Sequence, residues 1–360
     1  VSDGRPADGR PADARPASER LAAFAKAVVA LRAAAPPRAA MLRSGGAIGI
    51  GFVAFLALGS PEQAVVCAFF TNFLCFADKA SDLPTRIWVQ LIGALLCAGA
   101  GALGVLVAGN PPMIMLTTFV VALFAGFVHG STPGVEAIPR YALVSLLVSA
   151  FLPVGNAAIV LAVVVGTALS LAAVLLDDHI RHGRRGIRIA RMQAAVTYPG
   201  PRFSLVFGLA TAAGLALGLA WITTRPYWIA LTTVLVMQPD RRANTIRVMQ
   251  RFLGTLAGVL AAFLLVLVVP TSARSHTLLL LAVALPFVWP LGFDRNYGLG
   301  VAILSAWVLV LIDTALPPGE PIGPLFLARL SNTALGCAVA LAGSFVVYET
   351  DAELADEAEA

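Results

Sequence analysis

Apolar and polar positions fall along this chain in blocks rather than with the short period of a soluble amphipathic fold. Long runs of Ala, Val, Leu, Ile, Phe and Gly are broken by brief turns that collect most of the Pro, Asp and Arg. A helix that crosses a bilayer needs about 20 mostly apolar residues. On that rule the pattern predicts twelve spans, at 44–60, 62–77, 86–108, 111–128, 138–153, 157–176, 202–222, 225–238, 247–269, 276–292, 296–313 and 326–347. The fold class this predicts is an all-α integral membrane protein, with its second and eighth spans unusually short.

Composition agrees. Of 360 residues, 59% are hydrophobic and 12% charged, with a mean hydropathy of +0.85, whereas a soluble domain carries about 25% charged residues. The remaining segments are polar. Residues 1–43 repeat an R-P-A-D/S rhythm around Arg5, Arg10, Arg15 and Arg20; with no apolar stretch beside it, the rhythm does not read as a signal peptide and predicts a disordered basic tail. Within it, RLAAFAKAVVALRAA (20–34) fits an amphipathic helix on the membrane face and fits a plain helical lead-in equally. A basic linker, 177–201, contains HIRHGRRGIRIARMQ, and the acidic end, 348–360, reads as a disordered tail. Cys67, Cys75, Cys97 and Cys337 all fall inside predicted spans without metal-ligand spacing, and read as small packing residues.

Charge placement predicts orientation. With twelve spans and a cytoplasmic N-terminus, 22 Lys and Arg fall on the cytoplasmic side and three, Arg225, Arg274 and Arg329, on the other. That asymmetry follows the positive-inside rule and predicts both termini in the cytoplasm. It also accounts for the formal charge of +5 without a nucleic-acid partner; the basic linker suits anionic lipid headgroups.

The chain reads as duplicated, with six spans in 44–176 and six in 202–347. Aligning the halves pairs Pro61 with Pro226, Asp78 with Asp240, Arg86 with Arg247 and Gly93 with Gly254. An even number of spans per half predicts parallel repeats related by an axis along the membrane normal, with any substrate path between them. Gly254 and Gly258, and Gly214 and Gly218, have the small-xxx-small spacing that lets helices approach closely.

The stretch RPYWIALTTVLVMQPDRRANTIRVMQRFLGTLAGVLAA, with a Tyr-Trp pair opening a span, then Gln-Pro, then an Arg and Gly-Thr, resembles the fusaric acid resistance-like family of the aromatic acid exporter superfamily. NYGLGVAILSAWVLVLID and ARLSNTALGCAVALAGSFVV resemble the closing spans of the same family, so that the resemblance covers about 225–347. It implies a bacterial inner-membrane protein that exports aromatic or other organic acids, and is more distantly similar to the aluminium-activated malate channels of plants. Many such exporters carry a sizeable cytoplasmic domain between the halves, where this chain has only the linker. The pair Arg241-Arg242 has no role carried over from the family.

Candidate residues follow from the cost of charge in a bilayer, about 2.5–3.5 kcal/mol per ionisable group on insertion scales. Arg247 and Arg251, four apart on one helix face, form a local positive field suited to organic anions; anchoring to the cytoplasmic face, with a salt bridge to Asp240, is the alternative. Asp313 and Arg329 border one outer loop and read as a structural pair, or as participants in proton coupling or anion passage. Asn332, Thr333, Asn72 and Thr71 are polar lining candidates, with interhelical hydrogen bonds the plainer reading. Tyr227 and Trp228 fit an interfacial aromatic belt or a stacking platform. His129, in a turn, reads as inert or as a proton shuttle. No phosphate-binding loop, zinc-protease motif or nucleophile elbow is present, so no enzyme activity, metal or cofactor is expected. The expected function is efflux of small organic acids, aromatic ones among the candidates. An anion channel and a non-transporting scaffold or accessory subunit stay open, as do a homodimer and accessory export subunits as partners.

Overall fold

The computed structural model describes residues 17–79, 82–152, 155–183, 195–196, 198–221, 225–315 and 323–348. All secondary structure in these residues is helical. The tail before residue 17, most of the linker (184–194 and 197) and the acidic end from 349 lie outside the described residues.

Thirteen helices follow one another: α1 Ala17–Val29, α2 Arg38–Ala57, α3 Pro61–Ala77, α4 Leu83–Val107, α5 Pro111–Phe127, α6 Pro133–Phe151, α7 Asn156–His182, α8 Pro201–Ala220, α9 Tyr227–Val236, α10 Arg241–Val268, α11 Thr271–Arg295, α12 Tyr297–Ala315 and α13 Gly323–Tyr348. The last twelve occupy the twelve predicted ranges. Nine of them are long and apolar enough to cross a membrane, while α3, α5 and α9 are shorter. At 1.5 Å per residue, the ten residues of α9 extend roughly 15 Å, half of a hydrocarbon core.

Several helices outrun their apolar stretches because polar side chains extend them. The Asp240 side chain accepts from Ala243 N at 2.6 Å, which starts α10 six residues before the apolar run. Asp82 caps α4 in the same way through Thr85 N. The i,i+4 pairs Asp177–Arg181 and Asp178–His182 carry α7 into the stretch assigned to the linker.

Helix α11 contains Pro286 and Pro290, each of which removes a backbone donor and frees the carbonyl four residues earlier. Both orphans are taken up by other helices. Ser44 Oγ of α2 donates to Pro286 O at 2.8 Å, and Trp307 Nε1 of α12 donates to Ala282 O at 2.9 Å. In an apolar bundle such compensation is what makes an internal proline tolerable.

Packing follows an order that repeats. The pairs α2·α3, α3·α7, α4·α6, α4·α7, α2·α7 and α5·α6 are each matched, six helices on, by α8·α9, α9·α13, α10·α12, α10·α13, α8·α13 and α11·α12. The two groups meet through α5·α8 and α2·α11, which exchange under the same shift. Glycines set the closest approaches. A Cβ on Gly254 would stand 2.3 Å from Gly298 O and one on Gly258 2.3 Å from Ala302 O, both in α12; Gly214 and Gly218 face Ala230 and Pro226.

Gly258→Ala should therefore force α10 from α12 and destabilise the protein by about 1–3 kcal/mol. Gly46→Ala, whose Cβ meets nothing within 4 Å, should be neutral or stabilising by about 0.5–1 kcal/mol. Thermal unfolding in detergent separates the two.

Candidate functional site

The ends of α3, α5, α7 and α9, with the turns that follow them, and the α11–α12 junction collect at one end of the bundle. A cavity of about 950 Å³ opens there between the two helix groups. Its walls come from α1, α2, α3, α6 and α7 on one side and from α9, α10, α11 and α12 on the other.

One wall holds an ion cluster. Arg86 binds Asp78 through Nε at 2.7 Å and Asp177 through Nη1 at 3.0 Å, while Arg43 reaches Asp78 at 3.1 Å and Asp177 at 2.6 Å. A buried guanidinium, Arg86, and a partly buried one, Arg43, are thus matched by two carboxylates, which avoids the several kcal/mol that an unpaired buried charge costs. Gln90 extends the network, donating to Leu74 O and accepting from Ser170 Oγ.

On the facing wall Arg247 and Arg251 have no such partner, although Asp294 of α11 also lines the cavity. Asp240 is used as a helix cap, so the Asp240–Arg247 salt bridge is not made, and α13, which packs on α10 as α7 does on α4, contains no acidic residue. Arg247 lies over the Tyr297 ring at 4.4 Å. Arg251 is 3% exposed. Neither forms a salt bridge with a described residue, and the Nε of each is buried without a hydrogen-bond partner. Arg140 completes the group. It holds Glu136 at 2.8 Å, contacts His129, and also has an unpartnered Nε. Arg247 lies close enough to Arg140 and Lys79 to repel both.

Aromatic rings line the space between. Phe76 stacks on Trp289 at 4.0 Å, Phe293 meets both edge-on, and Phe73 stacks on Tyr141 at 5.2 Å. The Oδ1 of Asn72 and the indole nitrogen of Trp289 are buried without partners. Cations with free donors beside flat apolar faces can hold a planar anion by in-plane hydrogen bonds and stacking together.

The mouth is crossed by α1 and the segment after it. Gln250 Nε2 donates to Val28 O, Asn296 Nδ2 to Val28 O and Ala30 O, and Arg32 N to Arg295 O, at 2.9–3.0 Å. Asn296 also caps α12, its Oδ1 accepting from Gly298 N at 2.7 Å.

Of the residues singled out from sequence, Arg247, Arg251 and Asn72 come together in this cavity. Tyr227, Trp228, Arg329 and Asn332 gather instead at the other end of α9 and α13. Tyr227 and Trp228 are buried, Tyr227 stacked on Phe151 at 5.5 Å and Trp228 under Arg329 at 4.8 Å. An interfacial belt is therefore the wrong description, because α9 is short and enclosed, with nine of its ten residues buried. Asp313 does not pair with Arg329 but with Arg274, at 3.2 Å. Asn332 Nδ2 donates to Arg225 O at 3.0 Å. Sequence reasoning missed Arg140, because the predicted fifth span began at 138 and the helix begins at 133, which sets Arg140 two turns inside. It also missed Phe76, Trp289 and Tyr297, which packing alone brings together.

Residues 204–343 match the fusaric acid resistance protein-like family. The match holds Arg247, Arg251, Trp289 and Tyr297, whereas Asn72, Asp78 and Arg140 lie before it. Similar curated proteins include an uncharacterized protein of Haemophilus influenzae, 34% identical over 31% of this chain and 15% of its own length. Others are an uncharacterized protein of Synechocystis, 32% identical over 38% and 18%, and an uncharacterized membrane protein of Bacillus subtilis, 29% identical over 40% and 22%. The chain thus spans about a fifth of the length of the curated relatives it matches. No solved structure matches. Among the described residues no cluster of His, Cys, Asp and Glu could hold a metal ion, and the four cysteines are free.

His129, in the α5–α6 turn, is 2% exposed. Burial, then the charges of Arg140 and Arg247, push its pKa down to about 2. It is held neutral at physiological pH, with Glu136 Oε1 3.5 Å from its ring. Because the unfolded chain protonates this histidine near its ordinary pKa of about 6.5 and the folded one does not, stability is full above that pH and falls below it. His129→Gln should remove about 1 kcal/mol of the stability lost between roughly pH 6.5 and 5.5, measured as the pH dependence of the melting temperature.

Proposed function

We propose that this chain is the membrane part of a bacterial inner-membrane transporter that exports small organic acid anions, aromatic carboxylates among them. The observation that carries this reading is the cavity wall on which Arg247 and Arg251 stand without an acidic partner, opposite the Phe76–Trp289–Phe293 stack. A structural role would call for neutralisation, as Arg43 and Arg86 have from Asp78 and Asp177. A carboxylate supplied by a substrate answers the free guanidinium groups, and the rings offer its apolar body a surface. The family match supports transport of this kind.

In this reading α2–α7 and α8–α13 are two parallel six-helix repeats, with the linker on the lipid surface and both termini in the cytoplasm. The matched pairing of helices supports the repeat, and the crowding of basic turns around the cavity mouth supports its cytoplasmic placement. Substrate enters from that side, past α1, and is gathered by the positive field of Arg140, Arg247 and Lys79.

Export of radiolabelled aromatic and aliphatic acids from cells tests it. Cells carrying the intact protein should retain less of at least one acid than cells without it. The Arg247→Ala, Arg251→Ala double variant should lose on the order of tenfold or more of that export, with Arg247→Lys intermediate. Equal retention of every acid in all these cells would sink the transporter reading.

A further inference from the structure

Beyond the cavity, the interior of α9, α10 and α13 holds a second concentration of charge. α10 and α13 run side by side in a register fixed by Asn244 Nδ2 on Ala340 O at 3.3 Å and by Cys337 Sγ on Val248 O at 3.8 Å. Continuing that register brings Arg251 beside Thr333 and places Arg329 about one turn deeper. Both arginines are buried, 3% and 5% exposed, and lie near enough to repel each other. No carboxylate among the described residues pairs with either, and the Nε of each has no partner. The Thr333 hydroxyl is fully buried and also unpartnered. Trp228 covers one face of the Arg329 guanidinium at 4.8 Å. Stacking of this kind leaves the N–H edge free for an in-plane acceptor. Asn332 does not supply a countercharge; its amide nitrogen is on Arg225 O and its own oxygen is an unpartnered acceptor.

Two like charges, buried together with three donors unmatched and no carboxylate among the described residues to pair with them, favour a bound negative group. Arg251 also lines the cavity, so one edge of the site borders that space. We infer that a small singly charged anion, of the size of a halide or a lone carboxylate group, binds between Arg251 and Arg329 with the Thr333 hydroxyl as a further donor. The site does not rest on the export reading: an anion can be resident there in a protein that carries nothing.

The test uses the purified full chain in neutral detergent, with chloride or formate replacing a bulky sulfonate at constant ionic strength. Chloride, formate or both should raise the melting temperature saturably. Arg329→Gln should abolish the rise, while Arg241→Gln, at the exposed start of α10, should keep it. A response to chloride alone identifies an inorganic resident, to formate alone the carboxylate of an organic acid, and to both a general small-anion site. No response, a non-saturating one, or the same response in Arg329→Gln overturns the inference. Should Arg329→Gln fail to fold, chlorine NMR line broadening by the wild-type protein, reversed by formate, decides the matter; no broadening in a chloride-responsive protein, or broadening that formate leaves unchanged in one that responds to both anions, overturns the inference.

Discussion

A guanidinium group enclosed by apolar helices must meet a compensating charge or leave an electrostatic cost of several kcal/mol in the fold. The arrangement around the cavity follows from how each arginine meets that requirement. Arg43 and Arg86 are met by Asp78 and Asp177, and this cluster joins α2, α3, α4 and α7 at one level. Among the described residues, Arg247 meets the face of Tyr297 and Arg329 that of Trp228, with no carboxylate on either. Arg251 has neither. Because a cation on an aromatic face gains roughly 0.5–2 kcal/mol, the second group of arginines is left with unspent binding capacity where the first is satisfied.

The difference can be traced to two positions. In the first group an acid stands at the end of α3 and another near the end of α7; in the second, the acid after α9 is turned into the cap of α10, and α13 ends in GSFVVY. With the same packing order on both sides, these changes leave Arg247 and Arg251 unpaired where Arg43 and Arg86 are paired.

Much of the fold was legible because hydropathy in blocks reports helices directly, and every predicted range holds one. What block hydropathy could not report is where polar caps and i,i+4 pairs extend a helix, as at Asp240 and Asp177, or whether a short helix lies within the bundle. That second blindness misplaced Tyr227 and Trp228, since an aromatic belt presumes a helix of full length. Arg247 and Arg251 stood out because they break an apolar face four residues apart. Their partners Arg140, Trp289 and Tyr297 are dispersed over some 150 residues, and each alone reads as an ordinary anchor or core residue. Pro286 and Pro290 gave notice of orphaned carbonyls, though not that Ser44 and Trp307 would meet them.

The segment across the cavity mouth is held by its backbone. Gln250 and Asn296 grip the carbonyls of Val28 and Ala30, and Arg32 joins through its amide. No side chain of residues 28–32 takes part in these bonds, so, apart from the buried Val28, its amino acids can vary while its length and course are retained. Comparison among relatives would then find a stretch of variable composition facing two steadfast amides, an inversion of the usual pattern in which a closing loop carries the identities and its seat supplies the shape.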